Sequence, residues 1–190
     1  MRIALFGGAF NPPHLGHILV AQQVLDFGGV DELWFVPTFQ GSFDKPVASV
    51  EDRLAMVKLI DLPKTKVCTL EIDHQLDGHT INLLPLLPKD NSYVFIIGSD
   101  NLPSFHLWGN WQDLVKQIPF IVFPRLGFAS EPLYENMTVL NHEHLILSNI
   151  SSTKIRARIK EGLSLTNLIP SKIEEHLANN KLYKLSPMRR

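Results

Sequence analysis

RIALFGGAFNPPHLGHILVAQQVLDFGGVDELWFVPT, residues 2–38, decides the fold. Ile3 to Phe6 reads as a buried strand, and Ile18, Ala21, Val24 and Leu25 recur at helical spacing until Gly28 and Gly29 end the pattern. ELWFVPT is a second β-rich run. Strand, helix and strand in succession make a βαβ unit, which requires parallel strands and a right-handed crossover. The loop FGGAFNPPHLGH, Phe6 to His17, then lies at the carboxyl end of the first strand, where open α/β sheets bind their ligands.

Outward from this unit the chain keeps alternating. Ser49 and Asp52 resemble a capping box opening a helix through Leu54, Val57 and Ile60, and Lys66 to Ile72 reads as a third strand. Thr80 is placed to cap a helix that Pro85 must limit. SYVFII, Ser92 to Ile97, is the nearly all-apolar run of a central parallel strand, ending in Gly98-Ser99-Asp100. Asn110 opens a helix, PFIVFPR supplies a fifth strand, residues 126 to 141 read as a long connection, and Leu145 to Leu147 as the last strand. Two helices follow, one from Ser151-Ser152-Thr153 to Gly162 and one over PSKIEEHLANN. The expected fold is α/β: a Rossmann-like, doubly wound parallel sheet with C-terminal helices.

The 190 residues suit one packed domain. A net charge of −1 carries no overall basic bias toward nucleic acid, and no apolar run approaches the length needed to span a bilayer. The N-terminus carries no leader pattern, and the single cysteine, Cys68, needs no oxidising compartment; a cytoplasmic protein is expected. The sequence carries no signal of oligomeric state.

The loop's chemistry is that of phosphate binding. Gly7 and Gly8 allow close backbone approach, a helix opening near His17 would aim free N–H groups at the same point, and His14 and His17 can face one ligand. The loop has neither the GxxxxGK[ST] nor the GxGxxG pattern, so neither of those mechanisms applies. A second candidate lies at Ser151-Ser152-Thr153, where hydroxyls and a helix start would meet Arg156 one turn in. Taken alone, that stretch reads as a plain Ser/Thr cap with a solvated basic helix face, since capped basic helices are common. Trp108 and Trp111 offer aromatic faces, and the reading makes Trp111 core and Trp108 ligand-facing. Asp100 can cap its own turn. His74, His79, His106, His142 and His144 form no metal-ligand pattern and read as surface or structural residues.

GGxFxPxHxGH over Gly7–His17 and ISSTxxR over Ile150–Arg156 together resemble the adenylyltransferases that use an HxGH loop. GSDNLPSFHLWGNW, the Thr80 segment, VFPR and HLANNKLY make the chain most similar to the nicotinate mononucleotide adenylyltransferases among them. The resemblance implies one nucleotidyltransferase domain over 1–185 and a tail over 186–190. It implies an ATP site lined by Gly7, Gly8, Phe10, Gly98, Asp100, Ile150, Ser151 and Ser152, with His14, His17 and Arg156 catalytic. The acceptor, nicotinate mononucleotide, would meet Lys45, Thr80, Arg125 and the Trp108 face, with Mg²⁺ held mainly by the ATP phosphates.

Two departures fall in the acceptor region. Asp44 stands before Lys45 where the family usually has histidine, and Thr80-Ile81-Asn82-Leu83-Leu84 stands where it commonly has T-x-D-T-L. They leave nicotinamide mononucleotide or another phosphate open as the acceptor, and a non-catalytic ATP-binding regulator open as the alternative from another class.

Overall fold

A computed structural model describes residues 1–40 and 48–183; Asp44, Lys45 and the tail expected at 186–190 lie outside them. Six parallel strands form one sheet in the order β3-β2-β1-β4-β5-β6. They are β1 (Arg2–Gly8), β2 (Glu32–Pro37), β3 (Thr65–Val67), β4 (Ser92–Gly98), β5 (Phe120–Phe123) and β6 (Met137–Val139). The helices are α1 (Leu15–Phe27), α2 (Val50–Lys58), α3 (Leu70–Asp73), α4 (Thr80–Leu83), α5 (Trp111–Gln117), α6 (Ser152–Lys160) and α7 (Ser171–Asn179). Ser99–Leu107 is a 3₁₀ segment.

The period of two along each central strand divides the core. Ile3, Leu5, Phe95, Ile97, Phe120 and Val122 face one side with Leu83, Leu102, Phe105 and Leu114. Ala4, Val94, Ile96, Ile121 and Phe123 face the other with Val20, Ala21, Val24 and Val57. The segment after β1 therefore packs on one face and the segment after β4 on the opposite face, so a crevice opens between the carboxyl ends of β1 and β4, the switch point of a doubly wound sheet. A third cluster, Met56 with Ile155, Leu165, Ile169, Ile173 and Leu177, seats the C-terminal helices against α2.

Five local expectations are corrected. The third strand ends at Val67, because Thr69 turns the chain into α3: its Oγ1 donates to Asp73 at 2.6 Å and its carbonyl accepts the Asp73 N–H. The sixth strand lies at Met137–Val139, inside the stretch expected to be a connection. Leu145–Leu147 is not a strand; the Gln23 side chain takes up both the N–H and the carbonyl of Ile146, doing locally what a neighbouring strand would do. Asn110 precedes α5 in the left-handed region at φ 49° without a side-chain cap, and His79 rather than Thr80 is the capping position of α4.

Candidate active site

A cavity of about 530 Å³ occupies the crevice, within the range of nucleotide-sized ligands. Gly7 and Gly8 end β1 on one wall, and Gly98 ends β4 on the next. His17, Asp100, Arg125, Thr80 and Trp108, all expected from the sequence, also line it. Glu71, Asp77, His79, Thr38 and Asn101 line it too and were not anticipated.

The glycines serve close packing rather than unusual torsion. A Cβ on Gly7 would stand 2.7 Å from the Phe95 ring, and one on Gly98 would meet the Asp100 carboxylate. The left-handed position of the loop is instead Phe10, at φ 47°, with a cis peptide between Asn11 and Pro12. The Phe10 side chain is 2% exposed and stands behind the site, its ring centroid 5.0 Å from that of His17 in an edge-on arrangement.

His14 and His17 stack with ring centroids 3.7 Å apart. Gly16 permits this, since a Cβ there would lie 2.9 Å from His14 Nδ1 and 3.2 Å from the Ile150 carbonyl. The His14 backbone N–H donates to His17 Nδ1 at 3.2 Å, which leaves His17 to carry its ring proton on Nε2. Burial, then the Arg125 charge, lowers His14 to about 3; burial, then His14 and Arg125, holds His17 well below its ordinary value. Both rings are therefore neutral at pH 7, and an arriving polyphosphate would raise them. Buried His14 Nδ1 makes no hydrogen bond.

The start of α1 is less open than the sequence suggests. Its Leu15 N–H is taken by the Leu168 carbonyl at 2.9 Å, while Gly16 and His17 line the cavity. The start of α6 likewise spends its hydroxyls on structure. Ser151 Oγ accepts the Lys154 N–H at 3.3 Å, and Ser152 Oγ donates to the Pro12 carbonyl at 2.9 Å. Arg156 Nη1 donates to the Asn11 carbonyl at 2.7 Å, and Tyr183 Oη donates to Asn11 Oδ1 at 2.6 Å. Phe10, His14, Ile150, Ser151, Ser152 and Arg156 thus stand behind or beside the cavity wall, joined to the loop.

At the opposite end, Trp108 packs on Phe105 and lines the cavity, whereas Trp111, half-buried like Trp108, packs on Phe105 and Tyr134 and does not line it. Asp77 accepts the His79 N–H at 3.0 Å and the Asn82 side chain at 3.1 Å, so the Asn82 departure supplies a donor where an aspartate would repel Asp77. His79 fits only because residue 109 is glycine: a Cβ there would overlap its ring. Arg125 reaches Asp100 at 3.6 Å, and its N–H donates to buried Ser99 Oγ at 2.9 Å.

Glu71 is 3% exposed, and its Oε2 has no hydrogen-bond partner. Burial, with Asp77 adding to it, raises this carboxyl to about 7 against the pull of the Phe39 N–H. The folded chain thus keeps a proton that the unfolded chain loses near pH ~4.3. That stabilisation is complete below the unfolded value and is lost as pH rises through about 7. Glu71→Gln is expected to flatten the fall in thermal midpoint between about pH 5 and about pH 8. An unchanged slope would assign that fall to another group.

The Cytidylyltransferase-like family profile matches residues 5–158. A protein of Halalkalibacterium halodurans named "Probable nicotinate-nucleotide adenylyltransferase" is 34% identical, over 100% of this chain and 94% of its own length. The chain belongs to the nicotinate-nucleotide adenylyltransferase family. A second such relative, from Lactiplantibacillus plantarum, is 35% identical over 96% of this chain and 88% of its own length. The fold matches the Plasmodium falciparum nicotinic acid mononucleotide adenylyltransferase complexed with NaAD, with a TM-score of 0.82 at 22% identity over 96% of this chain and 97% of that one. No helix of the described residues is long and apolar enough to cross a membrane.

Proposed function

We propose that this member of the nicotinate-nucleotide adenylyltransferase family transfers the adenylyl group of ATP to the 5′-phosphate of nicotinate mononucleotide. The products are nicotinate adenine dinucleotide and pyrophosphate, a step of NAD biosynthesis. The observation that carries the reading is one cavity with neutral His17, backed by the stacked His14 ring, at the β1 end and a half-buried tryptophan at the other. A nucleotide triphosphate suits the first end and a planar pyridine ring the second.

The acceptor phosphate is already ionised at pH 7, so no general base is needed. Its oxygen attacks the α-phosphorus in line, and the bond to pyrophosphate breaks. The work left to the protein is alignment and stabilisation of charge on the α- and β-phosphate oxygens. His17 donates its Nε2 proton in a hydrogen bond to those oxygens, and His14 beside it does the same or takes up charge. Arg156 adds a guanidinium, with Nη1 anchoring the loop through Asn11. Gly7, Gly8, Phe10, Gly98, Asp100, Ile150, Ser151 and Ser152 shape the ATP half. Thr80, Trp108, Arg125 and Lys45 serve the acceptor.

Mg²⁺, held mainly by the ATP phosphates, would neutralise part of their charge. The cavity residues fit that arrangement. Asp100 faces Arg125, Asp77 accepts from His79 and Asn82, and Glu71 is buried and raised to about 7, so the ion would be left mainly to phosphates and water. A cytoplasmic setting belongs to the same reading, and Cys68, the single cysteine, requires no oxidising compartment.

Pyrophosphate release from Mg-ATP, with nicotinate and nicotinamide mononucleotide in parallel, tests the reading. Release is expected with both ATP and the nicotinate present, and at least about tenfold less with the amide. Equal rates, or preference for the amide, would overturn the assigned acceptor. No release with either, while ATP still bound, would favour the regulator.

A further inference from the structure

Arg53 is the largest fully buried side chain of the molecule's described residues, at 1% exposure, and it does not line the cavity. It lies on α2 beside Met56 and Val57, which fasten that helix to two of the three apolar clusters. Its guanidinium reaches out of the helix to the backbone of two separate loops. Nη1 donates to the Ala9 carbonyl at 2.9 Å, and Nη2 donates to the carbonyls of Thr38 at 2.7 Å and Phe39 at 3.0 Å. Ala9 belongs to the histidine loop after β1, and Thr38 and Phe39 begin the loop after β2. Ala9 and Thr38 both line the cavity, so one rigid cation grips two neighbouring wall segments from behind.

Burying a cation without a carboxylate is expensive. Among the described residues no carboxylate lies within ion-pair distance of Arg53. A neutral residue could bridge one carbonyl to another at less cost. What it could not do is hold three carbonyls on two loops in one plane, which is the geometry of the guanidinium fork. The ladder between the two segments is near its end here, with the Thr38 N–H donating to the Gly8 carbonyl at 3.1 Å. Beyond that bond Arg53 adds three ties between them, and the Ala48 N–H, donating to Asn11 Oδ1 at 3.0 Å, adds one farther along. A second buried group holds the same turn from the other side, since the Phe39 N–H donates to the Glu71 carboxyl.

We infer that Arg53 is a positioning residue for the transfer, fixing the separation between the loop after β1 that receives ATP and the neighbouring cavity wall after β2. The inference rests on the functional reading above, in which two phosphates must meet in line in the cavity that these two segments border. An in-line attack is sensitive to displacements of an ångström or less, whereas either nucleotide bound alone does not require the two segments to be held in register. Loosening the junction should therefore spare separate binding and cost alignment.

The test is Arg53→Lys, which keeps the charge and loses the fork. Turnover should fall by about tenfold or more, while ATP and nicotinate mononucleotide, each titrated alone by calorimetry, change by less than about threefold. The product dinucleotide spans both walls, and its affinity should fall by more than the two mononucleotide changes multiplied together. Turnover within about twofold of wild type, or a loss carried wholly by the two separate affinities, would overturn the role. Arg53→Gln, neutral with one amide donor group, is the second variant if Arg53→Lys does not fold; it should show the same split. Wild-type protein run alongside separates the claims. Silence from wild type overturns the functional reading and this role with it, while active wild type beside an unaffected variant overturns this role alone.

Discussion

Replacing His17 with alanine is expected to lower turnover by about 10²–10³-fold, the usual cost of removing one preorganised donor from a developing anion. The acceptor's affinity should stay within about twofold, because His17 sits at the ATP end and Trp108 at the other. The size of the effect follows from how fully the ring is prepared. His14 N–H fixes the His17 tautomer, the His14 ring fixes its plane, and burial keeps it neutral so that Nε2 is a donor before substrate arrives. Part of the loss will come through His14. Removing ring 17 frees the His14 N–H and takes away its stacking partner, so the losses for His14→Ala and His17→Ala should not multiply in the double variant. Steady-state pyrophosphate release, with acceptor binding measured separately, checks both statements. Unchanged turnover would remove His17 from the chemistry.

Burying neutral imidazoles also sets an acid limit. For groups whose folded values are depressed, the stabilisation is present above the unfolded value near ~6.5 and is lost as pH falls through the folded ones. His14 carries that loss down to about 3. Glu71 runs the other way, losing its contribution as pH rises through about 7.

The sheet was legible because its central strands are buried on both faces and so read as continuous apolar runs, as in SYVFII and PFIVFPR. β6 was not, because three edge residues, Met137–Val139, carry too little pattern to stand out. Leu145–Leu147 had the apolar pattern of a strand, but a strand also needs a neighbour, and its backbone partner is the side chain of Gln23. In the site, the motif residues were legible because they sit within one loop or one helix start. Glu71, Asp77, His79 and Thr38 come from separate turns that converge only through the fold, and no spacing links them. Arg53 looked like any charged helix residue; its importance depends on two loops folding back over α2. The hydroxyls of Ser151 and Ser152 show the reverse. Their pattern was plain, yet in the folded protein they cap α6 and tie it to Pro12.

Trp108→Ala should raise the acceptor's KM by roughly 10- to 100-fold, the equivalent of about 1–3 kcal/mol of stacking on a planar ring. ATP affinity should remain nearly intact. The expectation follows from a division of labour along one cavity: Trp108 rests on Phe105, on the sheet face opposite α1, with the Phe95 ring between it and Gly7. The same substitution also removes packing from Phe105 and Phe95, so some loss of stability accompanies it. Trp108→Phe separates the two effects, since a smaller ring keeps most of the packing and a reduced stacking face. It should fall between wild type and Trp108→Ala in acceptor KM while nearly matching wild type in thermal midpoint. ATP binding that collapsed together with acceptor binding would mean that the two ends do not act as separate subsites, and the in-line arrangement across them would have to be abandoned.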